Sequence, residues 1–185
     1  MRTSLLLIAA ASVLVSACST TPQTRSTYLL RSSRNTDTSQ IAKVGGDYLG
    51  VVQVASYIDQ PGLVLELSEG IIHSAKHHQW AEPLRISLRE FLSTEISAER
   101  GGVLTSNPSN NSKGSRIDVM FSQLHGDAEG NAVLVAHWSL NSVNKRREYQ
   151  FNATVPLAGV GYQALVAAEK QLLVQLSQAI ASELK

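Results

Sequence analysis

The chain has 185 residues, 43% of them hydrophobic and 17% charged, with sixteen Lys and Arg against fifteen Asp and Glu. That length suits one domain with a tail, the apolar share excludes wholesale disorder, and the charge balance lacks the basic stripe of a nucleic-acid binder. A single cysteine excludes an intramolecular disulfide framework and a cysteine-based zinc site.

The chain starts with a short positive segment through Arg2, followed by an apolar run from Leu5 to Val15. A run of that length is a secretory signal core and is too short to cross a bilayer, which takes about 20 residues. Val15-Ser16-Ala17-Cys18 follows, and polar sequence begins at once. Small residues ahead of a cysteine after such a run resemble a bacterial lipobox. The resemblance implies cleavage by signal peptidase II between Ala17 and Cys18 and a covalent lipid on Cys18. An ordinary signal peptide beside a chance cysteine is the weaker reading, because the only cysteine stands where the lipobox needs it. Residues 1–17 are then a signal peptide, 18–26 a lipidated tether and 27–185 the domain. Loss of Arg2 leaves basic and acidic residues equal in number. Several acyl chains hold a protein to a membrane where one does so only marginally, and lipoproteins of this kind generally carry three. Ser19 rather than Asp after the cysteine favours the outer membrane over the inner. Ser19 to Ser26 reaches roughly 30 Å at most, so the domain stays close to its membrane.

Thr27–Arg31 reads as a first short strand and 32–47, with Gly45-Gly46, as a loop. Tyr48–Ile58 is apolar on both faces, which suits a central strand. Asp59-Gln60-Pro61-Gly62 is turn chemistry. Leu63, Leu65 and Leu67 alternate as a strand with one face inward, and Gly70–Ala75 is another short strand. Pro83 fits a first helical turn. Leu84, Leu88, Phe91, Leu92 and Ile96 then form an apolar stripe, and Gly101-Gly102 supplies the left-handed cap. Residues 105–116 form a surface loop. Three alternating runs follow, at Ile117–Phe121, Val133–Leu140 and Glu148–Val155. The breaks at 126–131 and 142–147 suit hairpins and hence an antiparallel meander. A final helix spans 161–184, with Leu165, Leu172, Leu176 and Ile180 on one side and Ala164, Ala167 and Ala168 small enough for close packing. The order predicts a single α+β domain, a largely antiparallel or mixed sheet with two long helices packed on one face. One helix per face is the second choice.

No enzyme is legible. His73, His77 and His78 cluster, and Glu82 could complete a ligand set. But no helix is expected there and no Glu lies between the histidines as in a zinc protease; exposed or packing histidines are the preferred reading, and no metal or cofactor is expected. His125 and His137 stand alone on strands as structural residues. A Gly-x-Ser-x-Gly nucleophile turn is absent, and Gly45-Gly46 and Gly159-Val160-Gly161 lack the glycines and lysine of a phosphate cradle. The pairs Glu66/Glu69 and Glu95/Glu99 read as solvated surface groups. Trp138 belongs to a core strand face. Trp80 reads as a hydrophobic staple against Leu84 or Leu88, with an oligomer or partner contact as the sharper alternative.

Val54-Ala55-Ser56-Tyr57-Ile58-Asp59-Gln60-Pro61, then Gly70-Ile71, then Gln79-Trp80-Ala81-Glu82-Pro83-Leu84 resembles the signature of the PqiC/YmbA lipoproteins, auxiliary components of ABC-type transport systems. The resemblance runs from Tyr28-Leu29-Leu30 to the final helix. Gln60 and Gln79 stand where the family pattern has arginine, and Ile58 where it has leucine, so any salt bridge those arginines make is lost. The resemblance implies a non-enzymatic subunit that works beside MCE-domain proteins, docks their tube at the outer membrane, forms a homo-oligomeric ring and serves phospholipid transport and membrane integrity. A periplasmic carrier with its own apolar lipid pocket is the alternative. Tyr57, Asp59, Pro61, Trp80, Glu82 and Pro83 are the signature residues and the candidate interface.

Overall fold

A computed structural model describes residues 24–34, 46–104 and 114–184. The expected signal peptide, Cys18, most of the expected tether, residues 35–45 and residues 105–113 lie outside the described residues. The elements in chain order are strands β1 (Ser26–Tyr28), β2 (Tyr48–Val54), β3 (Gly62–Ser68) and β4 (Ile71–Trp80), helix α1 (Leu84–Arg100), strands β5 (Arg116–Gly126), β6 (Asn131–Ser142) and β7 (Lys145–Pro156), and helix α2 (Tyr162–Glu183).

Alternating side chains make β5, β6 and β7 a meander, with each strand antiparallel to the next. Ile117, Val119 and Phe121 meet Leu140, Trp138 and Ala136 across the β5–β6 ladder, and all are buried. The opposite face of these strands carries Met120, His137 and Gln150 and, among the described residues, has no helix on it. The sheet runs β1-β4-β3-β5-β6-β7, with β2 also lying along β5. It is mixed: β1–β4, β2–β5 and β3–β5 are parallel pairs, and β3–β4 is antiparallel.

Both helices form as the stripes predict. The Pro83 carbonyl accepts the Ile86 and Ser87 N–H groups at 3.0 and 3.2 Å, so proline caps α1 instead of occupying its first turn. Gly101, at φ 64°, closes the other end, a conformation that glycine adopts without a Cβ penalty. The helices touch each other; α1 lies on β2 and α2 on β5, β6 and β7. One core holds Leu88, Phe91 and Ile96 of α1 with Leu165, Leu172 and Ile180 of α2. Ala168 is buried there, whereas Ala167 faces solvent. A stacked Trp138–Tyr149 pair, with centroids 5.0 Å apart, fixes β6 on β7. The Tyr149 hydroxyl donates to Glu183 at 2.7 Å, tying β7 to the end of α2.

Several strand expectations change. The run expected as one strand from 48 to 58 ends at Val54, and β2 has β5 as its sole strand partner among the described residues, so it is not central. Its free edge is covered from α1, where Arg89 donates to the Leu49 carbonyl at 2.8 Å and the Gly50 carbonyl at 2.5 Å. A bulge follows Leu49, and Asp118 accepts the released Val51 N–H at 2.6 Å. The inward face expected for Leu63, Leu65 and Leu67 fails at Leu67, which is 53% exposed. Irregularities in β3 shift the alternation, and β3 meets β5 only at Leu65–Gly126. β4 extends to Trp80, so Trp80 ends a strand instead of standing in a loop.

Glu95 corrects the reading of a solvated Glu95/Glu99 pair. It is 2% exposed. The Ser32 hydroxyl donates to it at 2.5 Å, and Arg34 reaches Glu95 at 3.1 Å and Glu99 at 2.6 Å. The segment after β1 is thereby clamped to α1. Arg34→Ala leaves a buried carboxylate short of its cation. Because Arg34 is itself partly solvated, the expected loss is about 1–2 kcal/mol, read as a lower urea midpoint at pH 7; an unchanged midpoint contradicts the clamp.

Candidate functional site

Strand pairing brings the separated signature segments together. Ala55–Gln60 leaves β2 as a turn, in which the Ile58 and Asp59 N–H groups bond the Ala55 carbonyl. The chain returns into β3 beside the end of β4, where Trp80 N–H donates to the Pro61 carbonyl at 2.8 Å and Ala81 N–H to the Tyr28 carbonyl at 2.8 Å. Gly62 lies so close to Ala75 that an added Cβ would meet its carbonyl at 2.5 Å, which explains a glycine at this crossing. The result is a shallow hollow of about 330 Å³ lined by Asp59, Gln60, Pro61, Trp80, Ala81, Glu82, Pro83 and Leu84.

The floor is apolar and the rim is charged. Asp59 pairs with Arg85 of α1, and Glu82 with Arg31 at 2.5 Å. Glu82 also accepts the Ser87 hydroxyl at 3.1 Å. The two acidic signature residues thus have arginine partners from other positions, although Gln60 and Gln79 replace the arginines of the pattern. Gln60 instead donates to the Tyr57 carbonyl at 2.5 Å, stiffening the turn. Arg31 and Arg85 were not singled out in the sequence, and only the tertiary pairing reveals them. Trp80 is 7% exposed and belongs to the core cluster together with Leu84 and Leu88.

Tyr57 lies apart, in a second hollow with Glu66, Ile72, Ser122 and His125. Its hydroxyl donates to the Ser122 carbonyl at 3.3 Å. Burial, with the Glu66 charge second, pushes its pKa up to about 12. His73 and His77 are exposed along β4, and Glu82 is engaged by Arg31, so the three do not converge. His78 is half-buried between Tyr28, whose hydroxyl lies 2.9 Å from Nδ1, and the stacked ring of Tyr162 at 4.2 Å. His125 is buried with Nδ1 3.1 Å from the Gly126 carbonyl, and His137 is exposed on the open sheet face. Among the described residues, no three His, Cys, Asp or Glu side chains gather as metal ligands.

The family described as ABC-type transport auxiliary lipoprotein component matches residues 28–181. The chain belongs to that family. The ABC-type transport auxiliary lipoproteins similar to it include the intermembrane transport lipoprotein PqiC of Escherichia coli K12 and its counterpart in Shigella flexneri. Each is 25% identical over 150 residues, 80% of this chain and 80% of the relative. A crystal structure of an uncharacterized protein superposes with a TM-score of 0.75 at 25% identity, covering 88% of this chain and 99% of that one. A Xanthomonas campestris protein shares the fold, with a TM-score of 0.61 at 14% identity over 86% of this chain and 85% of that one. No helix among the described residues is long and apolar enough to cross a membrane. An auxiliary lipoprotein of this family is an envelope component of a transport system.

Proposed function

We propose that this auxiliary lipoprotein is the outer-membrane docking subunit of an intermembrane lipid-transport system. Cys18 is its lipid anchor, a homo-oligomeric ring its working form, an MCE-domain protein its partner and phospholipid the cargo of the assembly. The observation that carries the reading is the family match across 28–181, together with relatives whose name is intermembrane transport lipoprotein. The tether cannot bridge an envelope, so a second component must. The hollow between Asp59 and Leu84 has the character of a docking seat, with an apolar centre and a rim of charges already paired.

The carrier alternative needs an apolar cavity, and the strand expected to line one is short and packed on α1. A hollow of about 440 Å³ on the open sheet face is edged by Arg116, Asp118, Arg146 and Glu148. Such walls suit an acyl chain poorly, which supports docking over carriage.

The test is affinity capture of the tagged full-length lipoprotein from detergent-solubilised envelopes. Recovery of an MCE-domain protein is expected. Ala81→Trp, which fills the seat from an exposed position, is expected to cut that recovery about tenfold, a ~1.4 kcal/mol loss. Capture without any MCE-domain protein would remove the docking reading; undiminished capture by the Ala81 variant would move the seat elsewhere.

A further inference from the structure

We infer that the β3–β4 hairpin tip dips into the lipid surface to which the chain is anchored. The inference rests on the reading of Cys18 as a lipid anchor. β5 ends at Gly126, level with Leu65, and β1 touches β4 only from His78 onward. Residues beyond Leu65 on β3 and before His73 on β4 therefore overhang the sheet as a two-stranded ribbon. An overhanging ribbon buries few side chains; Glu66 and Ile72 edge the hollow of Tyr57 and His125, and mainly polar residues are expected on the rest. Beside the exposed Ser68 and Glu69 of the turn, it carries Leu67 at 53%, Ile71 at 58% and Ile72 at 40% exposure. Ile71 and Ile72 are successive strand residues and so point to opposite faces. Docking on a protein surface calls for one apolar face; immersion in lipid calls for both. The turn itself is closed by the Glu66 carboxylate, which accepts the Gly70 N–H at 2.9 Å and turns its other oxygen toward His125 at 3.9 Å, away from the tip.

Strand direction and tether length place the membrane at this tip. β1 runs parallel to β4, and Thr27, Gln79 and Gly62 stand abreast. The chain preceding Thr27 therefore arrives from the hairpin end of the sheet. From Gly62 to Ser68, which pairs with Ile71, the ribbon extends roughly 20 Å at about 3.3 Å per residue. Nine residue-to-residue steps lead from Cys18 to Thr27, which span about 17 Å as a relaxed chain and roughly 30 Å when taut. The hairpin length falls between the two, so the lipid on Cys18 and the tip come to the same level. β7 also ends on this side, and the loop from it to α2 presents the exposed Val160. The β6–β7 turn, with Val143 80% exposed, lies at the far end of the sheet.

The acylated Cys18 leaves an introduced cysteine as the only free thiol, which makes the test direct. Full-length lipidated protein carrying Ile71→Cys, labelled with the fluorophore NBD, is reconstituted into vesicles of phosphatidylethanolamine and phosphatidylglycerol; labelled Val143→Cys is the control. Flotation reports the anchor and fluorescence reports the tip. At Ile71 the expected result is blue-shifted emission, cut about twofold or more by nitroxides at shallow acyl positions, the depth of an interfacial apolar segment. No such change is expected at Val143. Flotation with Ile71 behaving like Val143 overturns the insertion while leaving the anchor. A blue shift that lipid nitroxides cannot quench means a second copy of the chain covers the tip, and also overturns it. Failure to float refutes the anchor, and the insertion with it.

Discussion

Trp80→Ala lowers the stability of the isolated domain by about 3–5 kcal/mol, the range for removing a buried aromatic side chain. The indole ends β4 at 7% exposure and shares the core with Leu84 and Leu88 at the entry to α1. The backbone N–H of Trp80 holds the Pro61 carbonyl. Alanine keeps that backbone bond, so the loss is one of packing, and the hollow beside Pro61 and Pro83 loses its floor. Urea unfolding measures the effect, and Trp80→Phe should recover more than half of it. If instead the midpoint stays in place while sedimentation shows the oligomer dissociating, Trp80 is an interface residue and the packing assignment is wrong. The two readings of Trp80 thus give opposite results on one variant.

Glu169 produces the second large effect. It lies on the buried stripe of α2 between Leu165 and Leu172, is 1% exposed, and its Oε2 has no hydrogen-bond partner. Burial alone pushes its pKa up from 4.5 to about 8, with no charged neighbour contributing. Between these values the unfolded chain releases a proton that the folded chain keeps. The contribution of Glu169 to stability is therefore most favourable below pH 4.5 and falls as pH rises to about 8, by on the order of 3–5 kcal/mol. Glu169→Gln removes the titration, so the stability of the native sequence relative to this variant declines steadily from pH 5 to pH 8. Glu169→Met removes the unpaired carboxyl as well and stabilises the domain at pH 7 by about 2 kcal/mol or more. Parallel pH profiles for the native sequence and the glutamine variant would show that the carboxyl is solvated.

Glu95 and Glu169 mark what a pattern reading passes over. Each occupies a helical position among the apolar residues of its stripe, Glu95 beside Leu92 and Ile96 and Glu169 between Leu165 and Leu172. The signal was the position, not the residue type. The two nevertheless differ. Glu95 received Arg34 and Ser32 from a segment about sixty residues earlier, and Glu169 received no charged partner, a difference that helical periodicity cannot contain.

Local periodicity was enough for the two helices, the cap at Gly101, the β5–β6–β7 meander and one α+β domain; Pro83 marked the start of α1 but caps it where a first-turn place was expected. Each of these depends on neighbours within a turn or a hairpin. The signature segments were also visible. Tertiary structure decided how β2 and β3 both run along β5, which Arg meets Asp59 and which meets Glu82, and that Tyr57 leaves the other signature residues. It also decided that the hairpin overhangs the sheet, because Leu67 alternates like a core residue and is exposed only where β5 has ended. Strand pairing over long sequence separations follows from register and from the volume left by other elements, and neither is written in the order of residues along a single strand.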